Sequence, residues 1–324
     1  MTAAPGPAAL HRYALYGLTL HSNRAMPGLP PARSAEDVVE VDFAGPTQPP
    51  PETPPFWTTG FETLWHVAAD AWLLAYRAAG IQGHHWTLRY DGGERVTVRW
   101  DSDVLLADIP AVLQGPGIAA SLHLRGVPLL HGCVVEVDGR AILIMGAPGT
   151  GKSTTAAALV RAGFALVSDD LAAIAWSGPD AIVHAGYPRL RLFADSAFAS
   201  GWDPALLSRT FTTPLLGDKR SLDLDPGDFR ADPLPLRAIY ILQPRGAGGS
   251  DPVLTAVERG AAWGVLAQNV YALRFLDAGR RFRCVRDCVA IAARVPLRRI
   301  QAADGLGALP RLAEILALDA RAVS

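Results

Sequence analysis

Three cysteines in 324 residues are too few for a disulfide framework to hold this chain together. Cys284 and Cys288, in "RCVRDCVA", stand one helical turn apart. No His or Cys cluster nearby completes a metal site, so they read as small apolar residues on a helix face. Thirty Lys and Arg against 31 Asp and Glu lack the basic excess of a nucleic-acid binder. No apolar run reaches the roughly 18 residues that a membrane span needs. The start, "MTAAPGPAALHRYALYG", has no apolar stretch behind a basic one. These absences lead to the expectation of a cytoplasmic protein with no nucleic-acid and no membrane partner.

Half the residues are apolar, enough for one large or two modest cores. Residues 1–106 read as a small α+β domain and 107–324 as a second domain. In the first, "RYALYGLTLHS" (12–22) has strand bias, and "AMPGLPPARSAED" and "PTQPPPETPP" are turn and connector. "FETLWHVAADAWLLAYRAAG" (61–80) holds good helix formers with a Gly80 stop, although its aromatics also suit strands. "HHWTLRY" and "ERVTVRW" around "DGG" predict a hairpin over 84–100. A helix over 109–126 then leads to "LLHGCVVEVDGRAILIMG", a strand, a tight turn at Asp138-Gly139 and a second strand. Further on, strands are expected at 181–192 and 236–242, with helices near 258–278, 284–293 and 307–318.

The strand after the Asp138-Gly139 turn feeds "GAPGTGKST": Gly146, Ala147, Pro148, Gly149, Thr150, Gly151, Lys152, Ser153 and Thr154. It fits G-x-x-x-x-G-K-[ST] between a strand and a helix, the setting in which backbone N–H groups cradle phosphates. Lys152 supplies a charge and Ser153 a hydroxyl for Mg²⁺, so ATP or GTP with Mg²⁺ is the expected cofactor pair. No "hhhhDE", no "LSGGQ" and no "NKxD" follows, and the only asparagines are Asn23 and Asn269. Remodelling engines, transport cassettes and guanine switches lose ground to kinases.

Seventeen residues after Lys152 stands "LVSDDL", with Asp169 and Asp170 at the end of an apolar strand. A β-α-β crossover should lay this strand beside the loop strand in a parallel sheet, carrying both carboxylates to the phosphates. One could hold Mg²⁺ beside Ser153 while the other accepts the proton of an attacking hydroxyl. The plainer alternative is that the pair caps a helix over "LAAIAW". Counting back from the Asp138-Gly139 turn sets His131 opposite residue 146, near the phosphates, where a donor would stabilise charge.

Taken together, "LLHGCVVEVDGRAILIMGAPGTGKSTTAAALVRAGFALVSDD" resembles the catalytic core of HPr serine kinase/phosphorylase and its relatives. "YALYGLTLHSNRAMPGLPPA", "GYPRLRLF", "GDKRSLDL" and "PLRAIYILQP" resemble the stand-alone HPr-kinase-like proteins, some of which phosphorylate a serine of lasso-peptide precursors. The resemblance implies an α/β P-loop core with a mixed sheet, as in phosphoenolpyruvate carboxykinase, and a peptide or protein partner bearing an acceptor serine. It also allows a homo-oligomer. On it, Lys152 and Ser153 hold phosphate and metal, Asp169 is the general base, Asp170 stands near the metal and His131 assists. Lys219 and Arg220 are weighed as phosphate or acceptor contacts, with Arg189 and Arg191 behind them. HPr serine kinase/phosphorylase proper, a gluconate-type metabolite kinase and a nucleotide-sensing module without transfer are the competing readings.

Overall fold

The computed structural model describes residues 10–77, 85–101, 106, 108–210, 219–244, 251–302 and 305–323. Gly80, Gly217 and Asp218 lie outside them. The chain divides into two compact units, one within Met1–Arg125 and one spanning Gly126–Thr210 and Asp218–Ser324. No described helix is long and apolar enough to cross a membrane.

The first unit carries β1 (His11–Leu15), β2 (Leu18–Ser22), β3 (Val38–Phe43), β4 (Trp57–Thr58), β5 (Glu62–His66), β6 (Ala71–Arg77), β7 (His85–Asp91) and β8 (Arg95–Trp100). They form one sheet in the order β1-β2-β3-β8-β7-β6-β5-β4. Residues 12–22 make a hairpin, reversed at Tyr16 and Gly17, both with positive φ. Of the helix expected over 61–80, residues 61–77 are described and are not a helix: they give β5 and β6, paired antiparallel with Leu64 opposite Leu74. Trp72, Leu74 and Tyr76 are buried while Leu73 and Ala75 are half-buried, and this period of two overrules the helix preference of Ala and Leu.

The expected helix at 109–126 is broken into α1 (Ile109–Val112) and α2 (Ile118–Leu124) by a wide turn holding Pro116, which has no N–H to give. It ends at Gly126 (φ 77°). The break between units follows this helix. Arg125 donates to the carbonyls of Val38 (2.6 Å) and Gly93 (3.0 Å), so the helix end is tied to the first sheet.

In the second unit, β9 (Leu129–His131), β10 (Cys133–Val137), β11 (Arg140–Gly146), α3 (Lys152–Arg161), β12 (Leu166–Ser168), β13 (Leu171–Ser177) and β14 (Asp180–His184) follow in sequence. After them come β15 (Arg189–Leu192), α4 (Ala194–Ala199), β16 (Ser208–Arg209), β17 (Arg220–Asp223), β18 (Leu234–Leu242), β19 (Val253–Ala256), α5 (Arg259–Ala267), α6 (Ala278–Arg294), β20 (Leu297–Gln301) and α7 (Leu309–Ala322). The main sheet is mixed, in the order β12-β10-β11-β18-β14-β13-β9, with β20 and then β19 branching from β18. β15, β17 and β16 form a small separate sheet. β11 is buried at six successive positions, as a strand covered on both faces must be. Ile142 and Ile144 pack with Leu159, Leu312 and Leu316 of α3 and α7. Leu143 and Met145 pack on the other side with Leu266 and Ile291 of α5 and α6.

Three expectations change here. β12 is not the neighbour of β11. The tight turn at Asp138 (φ 49°) and Gly139 (φ 76°) gives that edge of β11 to β10, and β12 pairs antiparallel with β10 instead. "LAAIAW" is strand β13, so Asp169 and Asp170 cap no helix. His131 pairs with Leu171 on β13 and not with the loop strand. The His131 N–H donates to the Asn269 carbonyl (2.8 Å) and the Gly132 N–H to the Asp170 carbonyl (3.2 Å), which ties this end of the strand to other partners, while Gly132 passes so close to β11 that a Cβ would lie 2.5 Å from the Ile144 carbonyl oxygen.

Candidate active site

β11 ends at Gly146, and a glycine loop carries the chain into α3 at Lys152. At Gly146 (φ 146°) a Cβ would stand 2.7 Å from Thr150 Oγ1 and 2.8 Å from the Leu242 carbonyl oxygen, so only glycine fits. Thr150 Oγ1 closes the loop by donating to the Ala147 carbonyl at 2.9 Å. Gly151, left-handed at φ 96°, starts the helix. The Lys152 ammonium folds back and donates to the carbonyls of Gly146 (2.8 Å) and Ala147 (3.2 Å). Burial lowers its pKa.

The strand β12 ends at Ser168, and the two aspartates form the turn into β13, with Asp170 in the left-handed region at φ 71°. Asp tolerates that region better than most residues. The turn sends the two carboxylates to different partners. Asp169 is 2% exposed. Its Oδ1 accepts from Ser153 Oγ and from the Cys133 thiol, both at 3.0 Å, and its Oδ2 accepts from the Arg191 N–H at 2.8 Å. Burial, then the Asp169 charge, pushes the Cys133 thiol well above its ordinary pKa, so it stays a protonated donor.

The Asp170 side chain keeps 31% of its surface exposed. Its Oδ2 accepts from the Arg191 guanidinium at 2.9 Å, and the Tyr271 hydroxyl stands 3.5 Å away. His131 Nδ1 lies 3.3 Å from Oδ1 and 3.0 Å from the Asp170 carbonyl oxygen. Burial would raise the Asp170 pKa, but Arg191, then His131, Lys219 and Lys152 outweigh it and hold the carboxyl below the usual range. The His131 pKa is lowered, by burial above all, with Asp170 opposing. At neutral pH the pair is therefore a neutral imidazole beside a carboxylate.

Two cavities meet here. One of about 420 Å³ is lined by Lys152, Ser153 and Thr154 together with Arg191, Phe193 and Lys219. The other, about 780 Å³, lies against Gly146 and Ala147 and takes in Asn269, Tyr271, Arg274 and Arg299. His131, Pro148 and Asp170 line both.

The structure thus brings together the loop, His131, Asp169, Asp170 and Lys219. Arg220 lines neither cavity, and Arg189 pairs with Asp223 on β17. Arg191, ranked behind Lys219 and Arg220 in sequence, touches both aspartates. Cys133, Tyr271 and Arg299 gave no sequence signal, but scarcity marks three other lining residues. Lys152 and Lys219 are the only lysines in the chain, and both line the smaller cavity; Asn269 is one of two asparagines.

Comparison with known proteins falls on this segment. The family model of the HPr Serine kinase C-terminal domain matches residues 124–193. An HPr kinase/phosphorylase of Shouchella clausii is 45% identical over 66 residues, 20% of this chain and 21% of that relative. One of Lachnoclostridium phytofermentans is 44% identical over 54 residues, 17% of this chain and 18% of the relative. The chain thus spans about a fifth of the length of the curated relatives it matches. The solved HPr(Ser) kinase/phosphatase from Coxiella burnetii aligns with a TM-score of 0.33 at 14% identity, covering 60% of this chain and 96% of that one. The likeness to the HPr kinases is carried by residues 124–193, which hold the glycine loop and both aspartates.

Proposed function

We propose that this chain is a kinase that moves the γ-phosphoryl group of ATP, with Mg²⁺, to a serine hydroxyl of a peptide or protein, a short precursor peptide being the acceptor class its resemblance implies. The observation that carries the reading is the parting of the two aspartates: one faces inward to the loop serine, the other outward to a shared cavity wall.

The loop N–H groups and Lys152 form the phosphate cradle. Ser153 Oγ and the buried Asp169 carboxylate, 3.0 Å apart, are hard oxygen donors that suit a magnesium ion. An ion held there would neutralise charge on phosphate oxygens. Asp170 is the general base: it takes the proton of the serine hydroxyl, the serine oxygen forms its bond to phosphorus, and the bond to the departing ADP breaks. Arg191 keeps that carboxylate ionised and aimed, and neutral His131 fixes its other oxygen. This exchanges the roles that the resemblance implied for Asp169 and Asp170.

Labelled ATP, Mg²⁺ and a serine peptide test the reading. Asp170→Asn should cut transfer by about 10²–10⁴-fold while nucleotide still binds. Asp169→Asn should instead weaken Mg²⁺-dependent nucleotide binding. An Asp170→Asn variant with full transfer would sink the base assignment.

A further inference from the structure

We propose that the larger cavity receives the acceptor and selects one bearing a carboxylate close to its hydroxyl, with Arg299 as the group that reads it. The inference rests on the kinase reading above. The first step is to decide which cavity faces the reacting end of the nucleotide. In a loop of this kind the lysine reaches the β- and γ-phosphates. Lys152 lines the smaller cavity, but its ammonium sits on the carbonyls of Gly146 and Ala147, which line the larger one, so the lysine head stands where the two cavities meet. Thr154 and Ser196, towards the start of the helices, line the smaller one. The nucleotide phosphates would thus lie in the smaller cavity with their γ end at this junction, the larger cavity opens beyond that end, and Asp170 and His131 stand on the shared wall through which a hydroxyl would be reached.

The second step is charge. The larger cavity is lined by two arginines, Arg274 and Arg299, and by one carboxylate, Asp170, which already has Arg191. On β20 successive side chains alternate. Arg298 turns to Asp319, 2.9 Å away, so Arg299 emerges on the opposite face, towards the cavity. It is half-buried, and among the described residues it makes no ion pair. A guanidinium partly out of water gains most from an anion that it can hold through two parallel N–H bonds, and a carboxylate has that geometry. Side-chain amides of Gln243, Gln268 and Asn269 line the same cavity and can satisfy the rest of a peptide.

Two sources could supply the carboxylate: an acidic side chain beside the serine, or the chain terminus of a peptide that ends in serine. Three peptides separate them, sharing one sequence with serine last: the free acid, the amide, and the amide extended by one glutamate. Binding to the full chain with Mg·ADP is followed by fluorescence anisotropy, and transfer from labelled ATP is followed in parallel. At least one carboxylate peptide should exceed the plain amide by about 10-fold or more in affinity and in kcat/KM, the scale of one charge-assisted contact. The better of the two identifies the source. Arg299→Gln should bring that peptide down to the level of the amide, and Arg299→Lys should recover part of the gap. Mg·ADP affinity of each variant reports that the site is folded.

Equal binding of all three peptides would overturn the proposal, whether or not transfer is seen. So would Arg299→Gln losing Mg·ADP itself, which would make Arg299 a nucleotide-phosphate group. Charge-dependent binding lost in Arg299→Gln, with no label on any peptide, would keep the cavity assignment and sink the kinase reading alone.

Discussion

Arg191 holds Asp170 by its guanidinium, at 2.9 Å, while its own backbone N–H holds the neighbouring Asp169 at 2.8 Å. One residue thus serves two carboxylates through two groups that mutation can separate. Arg191→Met keeps the N–H to Asp169 and removes only the charge beside Asp170. We expect transfer to fall by about 10²-fold, as when one electrostatic group of a transfer site is lost. Mg²⁺-nucleotide affinity should change little by comparison. Titration calorimetry beside a transfer assay checks the split; an equal loss in both would tie Arg191 to nucleotide binding instead.

The Asp170 carboxyl titrates below its ordinary value because Arg191, His131, Lys219 and Lys152 overcome its burial. A depressed carboxyl contributes stability above the unfolded pKa of about 3.9, and that contribution is lost as pH falls through the folded value. Thermal unfolding followed from pH 5 down to pH 3 should therefore show a steeper acid decline in the parent than in Asp170→Asn. Parallel curves would show that the carboxylate has no net favourable partners.

Gly132 passes β11 with no room for a side chain, since a Cβ would meet the Ile144 carbonyl oxygen at 2.5 Å and Leu143 Cδ1 at 2.7 Å. Gly132→Ala should cost about 1–3 kcal/mol by overpacking. It should also displace His131 and Cys133, its chain neighbours in the site. Urea unfolding measures the first effect; a cost under a few tenths of a kcal/mol would mean that β9 can shift freely.

Thiol chemistry gives an independent check on the interior. Cys133 is buried with its pKa well raised, and burial pushes Cys288 up to about 12. Since the thiolate is the reactive form, both should resist a thiol reagent at pH 8 in the native protein and react at once in denaturant. Rapid native reaction at Cys133 would contradict its place under Asp169.

Much of this site was legible in the chain because its parts are local. The loop, the tight turn at Asp138-Gly139 and the aspartate pair each depend on a few adjacent residues with demanding backbone or chemical needs. What could not be read was pairing at a distance. Nothing in "ALVSDD" says that β10 would already hold the edge of β11, and nothing in "GYPRLRLF" says that Arg191 would reach both aspartates. At 61–80, Ala and Leu serve helices and strands alike. Only partners contributed by other segments decided that Trp72 and Tyr76 would be buried on one side of a strand.

The placing of Lys152 and Lys219 has a practical consequence. With arginine used everywhere else for positive charge, the only side-chain amines of the chain sit in one cavity. Apart from the α-amine of the chain, which reacts with the same reagents, an amine-directed label therefore reports on that cavity. Acylation would silence it, and protection by nucleotide would measure its occupancy without any knowledge of the acceptor.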